Sequence, residues 1–173
     1  QHPTQTLIDL YTIKKVKGKI SGLKVSLLGD LKHARAMRSL LYGLGMFGAE
    51  VTLISPESLR MDAEIIAEAK ERFGVSVSQR TEISLKGCDV LYVCRIQKER
   101  FSDQYEAEKM QNEFRVDLAV LRDAPQGLAI LHPLPKIDEI PPEVDSDPRA
   151  KYFEQAKNGV PVRMAVLHKC IKG

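Results

Sequence analysis

The sequence predicts an α/β fold in which a doubly wound, mostly parallel sheet carries helices on both faces. Two observations support this prediction. Short apolar runs typical of buried strands recur along the chain, at residues 23–28, 51–55, 75–77, 89–94 and 128–131. Longer segments between them repeat their apolar residues at helical spacing. Because strands that alternate with helices indicate βαβ units, the sheet is expected to be Rossmann-like.

The helical segments follow in order along the chain. Leu7, Leu10 and Tyr11 recur at helical spacing after Pro3, which suits a first helical turn. We therefore expect helices over residues 2–15, 34–46, 62–73, 82–87, 115–123, 149–157 and 161–171. Residues 101–112 are polar and predict a loop with some helix, whereas the prolines of residues 133–148 predict an extended loop.

Length and composition exclude several classes of protein. The 173 residues suffice for one domain with a buried core, and a net charge of +3 with dispersed basic residues does not favour nucleic acid or a membrane surface. No apolar run approaches the ~18 residues of a transmembrane helix. Three cysteines without metal-ligand spacing indicate reduced thiols, no metal and a cytoplasmic location.

One glycine motif resembles a cofactor signature. Residues 43–48 match G-x-G-x-x-G, which in dinucleotide-binding proteins follows a strand and opens a helix. Here the motif ends a predicted helix and precedes a strand, so glycine is expected to terminate the helix instead. No cofactor is therefore expected.

Polar residues that could carry chemistry open the first helix. His2 and Gln5 are three residues apart, so they lie near each other where free N–H groups favour anions. An imidazole N–H and an amide there could polarise and orient a carbonyl group. The alternative is that both residues only cap the helix and face solvent.

Three further polar clusters each follow a predicted strand, where open α/β sheets bind ligands. The first ends in Arg35, the second contains Arg95, Gln97 and Glu99, and the third is His132-Pro133-Leu134-Pro135. Arginine can bind a carboxylate through two hydrogen bonds. The prolines fix the backbone of the third cluster, could expose a carbonyl acceptor, and allow a cis peptide. The alternatives are a solvated loop, a surface charge run and a rigid turn without ligand.

Taken together and in this order, the clusters resemble the transcarbamoylases, and specifically the aspartate branch. Pro133 stands where the ornithine branch typically has cysteine. The matching text is His2-Pro3-Thr4-Gln5, Leu7-x-Asp9-Leu10-Tyr11-Thr12-Ile13, Gly29-Asp30-Leu31-Lys32, Arg95-Ile96-Gln97-Lys98-Glu99-Arg100, His132-Pro133-Leu134-Pro135-x-x-Asp138-Glu139-Ile140, Tyr152-Phe153-x-Gln155 and Asn158-Gly159-Val160-Pro161-Val162-Arg163-Met164.

The resemblance implies transfer of a carbamoyl group from carbamoyl phosphate to L-aspartate, without a metal or covalent intermediate. It implies that His2 and Gln5 contact the carbamoyl group. Its other implied contacts are the carbonyls of Leu134 and Pro135 for the carbamoyl nitrogen, Arg35 for the α-carboxylate, Arg95 and Gln97 for the side-chain carboxylate, and Glu99 as the group that orients Arg95.

Two departures from the family pattern stand out. Lys32-His33-Ala34-Arg35 replaces the usual Lys-Tyr-Gly-Arg, and the family's N-terminal carbamoyl phosphate domain is absent. Residues 1–173 are therefore expected to be the aspartate-binding domain, inactive alone, with interdomain helices at 1–15 and 161–171. The intact enzyme is expected to be a homotrimer, with or without a regulatory chain. The alternative is a non-catalytic carboxylate-binding or assembly module with this fold.

Overall fold

The computed structural model describes residues 1–97, 101 and 103–172, and it confirms the predicted α/β sheet. Five parallel strands are arranged in the order β3-β2-β1-β4-β5. The strands are β1 (Lys24–Leu28), β2 (Glu50–Ile54), β3 (Ser76–Arg80), β4 (Val90–Val93) and β5 (Ala129–Leu131). The helices are α1 (Pro3–Lys17), α2 (Arg35–Met46), α3 (Ala63–Phe73), α4 (Gln104–Glu113), α5 (Leu118–Leu121) and α6 (Tyr152–Lys172), with 3-10 turns at Glu57–Leu59 and Pro142–Ser146.

The strand register aligns the carboxyl ends of the central strands. Leu28, the last residue of β1, lies opposite Ile54 of β2 and Val93 of β4. The chain winds outward from β1 in both directions, so β1 and β4 flank the point where the winding reverses. Open sheets of this kind bind ligands in the crevice at such a point.

Two apolar cores cover the two faces of the sheet, as a doubly wound fold requires. Successive residues of β1 point to opposite faces, so Leu27 joins one core and Leu28 the other. The first core includes Leu40, Leu41 and Leu44 of α2, all fully buried. Each such side chain contributes roughly 1.5–3 kcal/mol by leaving water. The second core lies under α5 and the 3-10 turn at Pro142–Ser146.

The glycines of residues 43–48 permit close packing, and they lie at the end of α2 as the sequence predicts. A Cβ atom on Gly43 would lie 2.6 Å from Thr6 Cγ2 of α1. A Cβ atom on Gly45 would lie 3.0 Å from the Cβ atoms of Phe73 and Val75. These glycines therefore let α1 and the end of α3 approach α2 closely.

The structure differs from the predicted elements in four places. Residues 82–87 form turns rather than a helix, because Ile83 and Leu85, two apart, both pack on the second core. The helix predicted over 115–123 shortens to α5, which begins after Asp117, whose Oδ1 accepts the amide N–H of Val120. The two helices predicted at 149–157 and 161–171 are one helix, α6, with Pro161 inside. Because proline has no N–H, the carbonyl of Lys157 lacks its usual helical hydrogen bond. Lys157 is exposed, so water can donate to this carbonyl instead.

The fourth difference is β3, which is longer than the predicted run of residues 75–77. It is an edge strand that pairs only with β2, and its outer residues are polar and exposed. An edge strand of this kind lacks the continuous apolar signal of a central strand. Among the described residues, none of the helices combines the length and the apolar character needed to span a bilayer.

Candidate functional site

The loops that follow β1, β4 and β5 meet in one open cleft of about 450 Å³, here called the basic cleft. It contains all five residues predicted to bind substrate: Arg35, Arg95, Gln97, Leu134 and Pro135. The other residues that line it are His33, Ala34, Cys94, His132 and Pro133. The structure therefore brings the three predicted clusters together at the carboxyl edge of the sheet, while their roles in binding stay a prediction. Glu99, predicted to orient Arg95, lies outside the described residues.

Gly29 determines how closely the first two loops approach. Its φ of 123° is unfavourable for other residues, and a Cβ atom here would lie 2.1 Å from the carbonyl oxygen of Cys94. The loops that lead to Arg35 and Arg95 are thus in direct backbone contact. Burial raises the pKa of the Cys94 thiol well above its ordinary value, so this cysteine stays neutral and is a poor nucleophile.

A buried carboxylate anchors the loop before Arg35. Asp30 is fully buried, and its Oδ1 accepts the backbone N–H of His33 at 2.9 Å. The Nδ1 atom of His33 lies 3.1 Å from both carboxylate oxygens. The substituted Lys32-His33-Ala34-Arg35 segment therefore still presents Arg35 to the basic cleft, with His33 beside it.

The turn after β5 has an unusual backbone. The Leu134–Pro135 peptide is cis, which a proline at this position allows, and Leu134 has a φ of 51°. The backbone N–H of Leu134 donates to His132 Nδ1 at 2.9 Å, which places the ring proton on Nε2 when the imidazole is neutral. That Nε2 atom lies 2.8 Å from Glu139 Oε1, although its N–H is not aligned for a hydrogen bond.

Glu139 keeps its negative charge beside this turn. The residue is 3% exposed. Burial raises the pKa of Glu139, but His132 and backbone N–H groups outweigh burial and hold the pKa below its ordinary value. The ionised carboxylate also accepts the backbone N–H of Ile137 at 3.2 Å. The turn is thus fixed from both sides by polar contacts.

The two residues predicted to act on the carbamoyl group lie at the start of α1 but differ in placement. Gln5 lines a second cavity of about 210 Å³, which shares His132 and Pro133 with the basic cleft. His2 precedes α1, its backbone N–H donates to Ser39 Oγ at 2.7 Å, and it lines neither cavity. The structure thus brings Gln5, but not the His2 side chain, to the predicted constellation.

A buried polar group that sequence reasoning missed lies behind Gln5. Asp9 is fully buried and accepts hydrogen bonds from Gln5 Nε2 at 2.8 Å, Gln155 Nε2 at 2.7 Å and the Tyr92 hydroxyl at 2.9 Å. We call these four residues the Asp9 junction. Burial raises the pKa of Asp9 from 3.8 to about 7, against the three donors, which lower it.

The apolar residues of α1 do not all face the core. Leu10 is buried, but Leu7 and Tyr11 are 46% and 45% exposed, whereas the polar residues Asp9 and Thr12 are fully buried. The available signal was the i, i+4 spacing of Gln5 and Asp9, which lets their side chains interact. Among the residues that the structure describes, no three His, Cys, Asp or Glu side chains cluster as metal ligands would.

Comparison with known proteins gives a consistent result. Residues 21–170 match the family model described as aspartate/ornithine carbamoyltransferase, Asp/Orn binding domain. The aspartate carbamoyltransferase catalytic subunits of Thermococcus kodakarensis and Methanopyrus kandleri are 53% and 49% identical over 96% and 100% of this chain, and over 54% and 57% of their own lengths.

Solved structures agree with this result. The catalytic subunit of M. jannaschii aspartate transcarbamoylase superposes with a TM-score of 0.93 at 43% identity, over 99% of this chain and 56% of that one. The Trypanosoma cruzi enzyme in complex with N-(phosphonacetyl)-L-aspartic acid gives a TM-score of 0.88 at 35% identity, over 96% of this chain and 55% of that one. The chain spans about half the length of the curated relatives it matches. It belongs to the aspartate/ornithine carbamoyltransferase family and corresponds to that family's Asp/Orn-binding domain.

Proposed function

We propose that this chain is the aspartate-binding half of an aspartate carbamoyltransferase of de novo pyrimidine biosynthesis. The enzyme transfers the carbamoyl group of carbamoyl phosphate to the amine of L-aspartate, giving N-carbamoyl-L-aspartate and phosphate. The observation that carries the proposal is the basic cleft, in which Arg35, Arg95 and Gln97 share one edge of the sheet with the Leu134–Pro135 turn. Relatives named aspartate carbamoyltransferase, about 50% identical over nearly the whole chain, support it.

The proposed roles follow from the charge of aspartate. Its two carboxylates need two cationic partners, and the cleft supplies Arg35 for the α-carboxylate and Arg95 for the side-chain carboxylate, with Gln97 as a further donor. Arg35 is also the first residue of α2, where a helix N-terminus favours anions. The cleft therefore suits a dicarboxylate better than a basic amino acid such as ornithine.

The carbamoyl group is proposed to lie toward Gln5 and the turn after β5. The carbonyls of Leu134 and Pro135 accept from its amide nitrogen and Gln5 orients it, while His2, which lines neither cavity in this chain, is proposed to contact it only in the completed enzyme. The amine of aspartate forms the new C–N bond as the C–O bond to phosphate breaks, the phosphate leaves with the electron pair, and the amine loses a proton. Because no covalent intermediate is needed, positioning of two anionic substrates provides most of the acceleration.

Exposed apolar surface on α1 and α6 supports the proposed domain organisation. A groove of about 460 Å³ runs between the helices and is lined by Leu7, Tyr11, Pro161, Val162, Ala165, Val166, Lys169 and Cys170. The opposite side of α6 exposes Val160, Met164, Leu167 and Ile171 by 61–79%. Apolar surface of this kind marks an interaction site. We propose that a carbamoyl phosphate domain covers residues 1–15 and 161–171, and that the completed enzyme is a homotrimer.

Complementation tests the proposal. The chain alone is expected to give no carbamoyl-aspartate, because half of the site is missing. The same chain fused behind the preceding residues of the T. kodakarensis relative is expected to form the product, and an Arg35→Ala, Arg95→Ala fusion is the matched negative control. Turnover by the pure chain contradicts the proposal. A folded fusion that binds succinate but gives no product supports a carboxylate-binding module instead.

A further inference from the structure

The Asp9 junction joins three elements at one carboxylate. Gln5 lies on the same helix as Asp9, Gln155 lies on α6, and Tyr92 lies on β4. Oδ1 of Asp9 accepts both amide donors, at 2.8 Å from Gln5 and 2.7 Å from Gln155, and Oδ2 accepts the Tyr92 hydroxyl at 2.9 Å. Asp9 and Tyr92 are fully buried, and Gln155 is 1% exposed. The carboxylate of Asp9 thus accepts three hydrogen bonds, one from each of three different elements.

The chemistry of a carboxylate fixes how both amides are oriented. An ionised carboxylate only accepts, so Gln5 and Gln155 must turn their NH₂ groups toward Asp9. The carbonyl oxygen of Gln5 is then the atom available to the second cavity, which Gln5 lines. The carbonyl oxygen of Gln155 accepts the backbone N–H of His132 at 2.8 Å.

The hydrogen bonds of Gln155 connect the junction to the basic cleft. His132, held by Gln155, accepts the backbone N–H of Leu134 through Nδ1 at 2.9 Å. The cis turn that carries the Leu134 and Pro135 carbonyls is therefore linked to Asp9 through two intervening residues. The Asp9 carboxylate thus contacts Gln5 directly and the Leu134–Pro135 turn through Gln155 and His132.

We propose that Asp9 is a positioning residue for the carbamoyl group: it holds Gln5 so that its side-chain carbonyl accepts from the carbamoyl NH₂, and it steadies the Leu134–Pro135 turn through Gln155 and His132. This inference rests on the proposed function. The carbamoyl NH₂ has two hydrogens to donate; a correctly oriented Gln5 accepts one, and the other is shared by the Leu134 and Pro135 carbonyls of the turn. With the opposite amide orientation, Gln5 would face the substrate NH₂ with a second NH₂ group.

The arrangement depends on the charge of Asp9. A protonated carboxyl has one O–H that must donate, so the amide of Gln5 or Gln155 can turn over and accept it. The titratable and charged groups nearest the junction are Tyr92 on β4, His132 with its partner Glu139 after β5, and Arg163 on α6, which lines the same cavity as Gln5. Because burial raises the pKa of Asp9 to about 7, the change falls near neutral pH.

The test compares Asp9→Asn with Thr12→Val. Thr12 is also fully buried on α1, and its hydroxyl accepts from Asn158 Nδ2 of α6 at 3.0 Å, so the control removes an α1–α6 hydrogen bond without touching the junction. In the labelled chain, we expect the side-chain NH₂ resonances of Gln5 and Gln155 to titrate together with a midpoint near pH 7 in the wild type and in Thr12→Val, but not in Asp9→Asn.

The kinetic arm uses the fused enzyme described above. We expect Asp9→Asn to lower kcat by about 10–100-fold, as misplaced positioning groups do, to change the KM for aspartate by less than about twofold, and to remove the limb of the kcat–pH profile near pH 7. Thr12→Val is expected to retain both kcat and the profile. Equal kcat losses in the two variants, or Gln5 resonances that do not respond to Asp9→Asn, would overturn the inference. If no fusion turns over, the proposed function fails and the carbamoyl role of Asp9 fails with it; the resonance arm then shows only whether the charge of Asp9 orients Gln5 and Gln155.

Discussion

The basic cleft and the Asp9 junction are neighbours, because the backbone N–H of His132, which lines the cleft, donates to Gln155 of the junction. The two sites are nevertheless built in opposite ways. The cleft takes its charged side chains from the first residue of α2 and from the loop after β4, and it opens to solvent, so Arg35 and Arg95 keep part of their hydration. The junction takes its polar groups from two helices and a central strand, and Asp9 and Tyr92 within it are fully buried. The cleft can therefore exchange water for a charged ligand, whereas the junction must satisfy its hydrogen bonds internally.

The difference implies different responses to mutation and to pH. A residue of the cleft is expected to affect ligand binding with little effect on folding, because its site is open and partly hydrated. A residue of the junction is expected to affect both, because an unpaired buried polar group is costly. Four predictions test this contrast.

The largest effect is expected for Arg95→Ala in the fused enzyme. Loss of a charge pair with the side-chain carboxylate costs roughly 2–5 kcal/mol, so kcat/KM for aspartate falls steeply while carbamoyl phosphate binding changes little. Steady-state kinetics with each substrate varied in turn measure the two effects. Arg72→Ala removes an exposed arginine paired with Glu68 on α3, and it serves as the control. Similar losses for both substrates would show that Arg95 does not select aspartate.

The stability of the junction is expected to depend on pH with a defined sign. Because the pKa of Asp9 is 3.8 in the unfolded chain and about 7 in the folded one, the folded state binds more protons between these values. The contribution of Asp9 is therefore fully present below about pH 4 and is lost as the pH rises through about 7, by about 4 kcal/mol in total.

Urea unfolding of the wild type and of Asp9→Asn at pH 4, 5.5 and 8 measures this contribution. In the difference in unfolding free energy between the two proteins, the contributions of groups that titrate alike in both cancel. We expect the unfolding free energy of Asp9→Asn to increase relative to that of the wild type as the pH rises. A difference that stays constant over this range would mean that the folded protein does not raise the pKa of Asp9.

The next effect concerns the packing that sets α1, and with it the junction, against α2. Gly43→Ala places a Cβ atom 2.6 Å from Thr6 Cγ2, so overpacking is expected to cost about 1–3 kcal/mol of unfolding free energy. Gly127→Ala is the matched control, since a Cβ atom there meets nothing within 4 Å. Thermal unfolding compares the two variants. Equal midpoints would show that α1 can shift away from α2 without loss.

The smallest effect is expected for Lys15→Ala. Lys15 pairs with Glu154 at 2.9 Å and so joins the same two helices as the junction, but both side chains are exposed. Exposed ion pairs contribute little because water and salt screen them. Urea unfolding is expected to resolve no change from the wild type in 0.5 M salt. A clear loss of stability there would mean that surface charge, and not the buried junction, holds α1 to α6.

The sequence predicted the basic cleft better than the junction for a physical reason. Arg35, Arg95 and Gln97 follow strands directly, and parallel strands bring their carboxyl ends to one edge whatever the details of packing. Burial of Asp9 depends instead on how α1 rotates against α6 and β4, which no local pattern specifies. The helical spacing of Leu7, Leu10 and Tyr11 predicts a helix but does not separate buried Leu10 from exposed Leu7 and Tyr11, because apolar residues that pack on another surface have the same spacing as core residues.

Some elements of the fold were also easier to predict than others. Central strands such as β1 and β4 were predictable because both of their faces are buried, whereas the polar edge strand β3 was predicted too short. Pro161 was taken as a helix boundary because proline removes one hydrogen bond. The structure accommodates it inside α6, which runs as one helix from Tyr152 to Lys172.

The length of α6 gives it a mechanical property. Its 21 residues extend about 31 Å, and the half after Gly159 projects about 20 Å beyond the point where Ile8 lies 3.5 Å from a Cβ position on that glycine. Gln155 lies one turn before Gly159. If α6 tilts as a rigid rod about Gly159, a tilt of about 5° moves its far end by about 2 Å and Gln155 by only tenths of an ångström. A domain that binds the residues after Gly159 would then adjust Gln155, and with it the hydrogen bond that Gln155 accepts from His132, on the fine scale at which hydrogen bonds are made or lost.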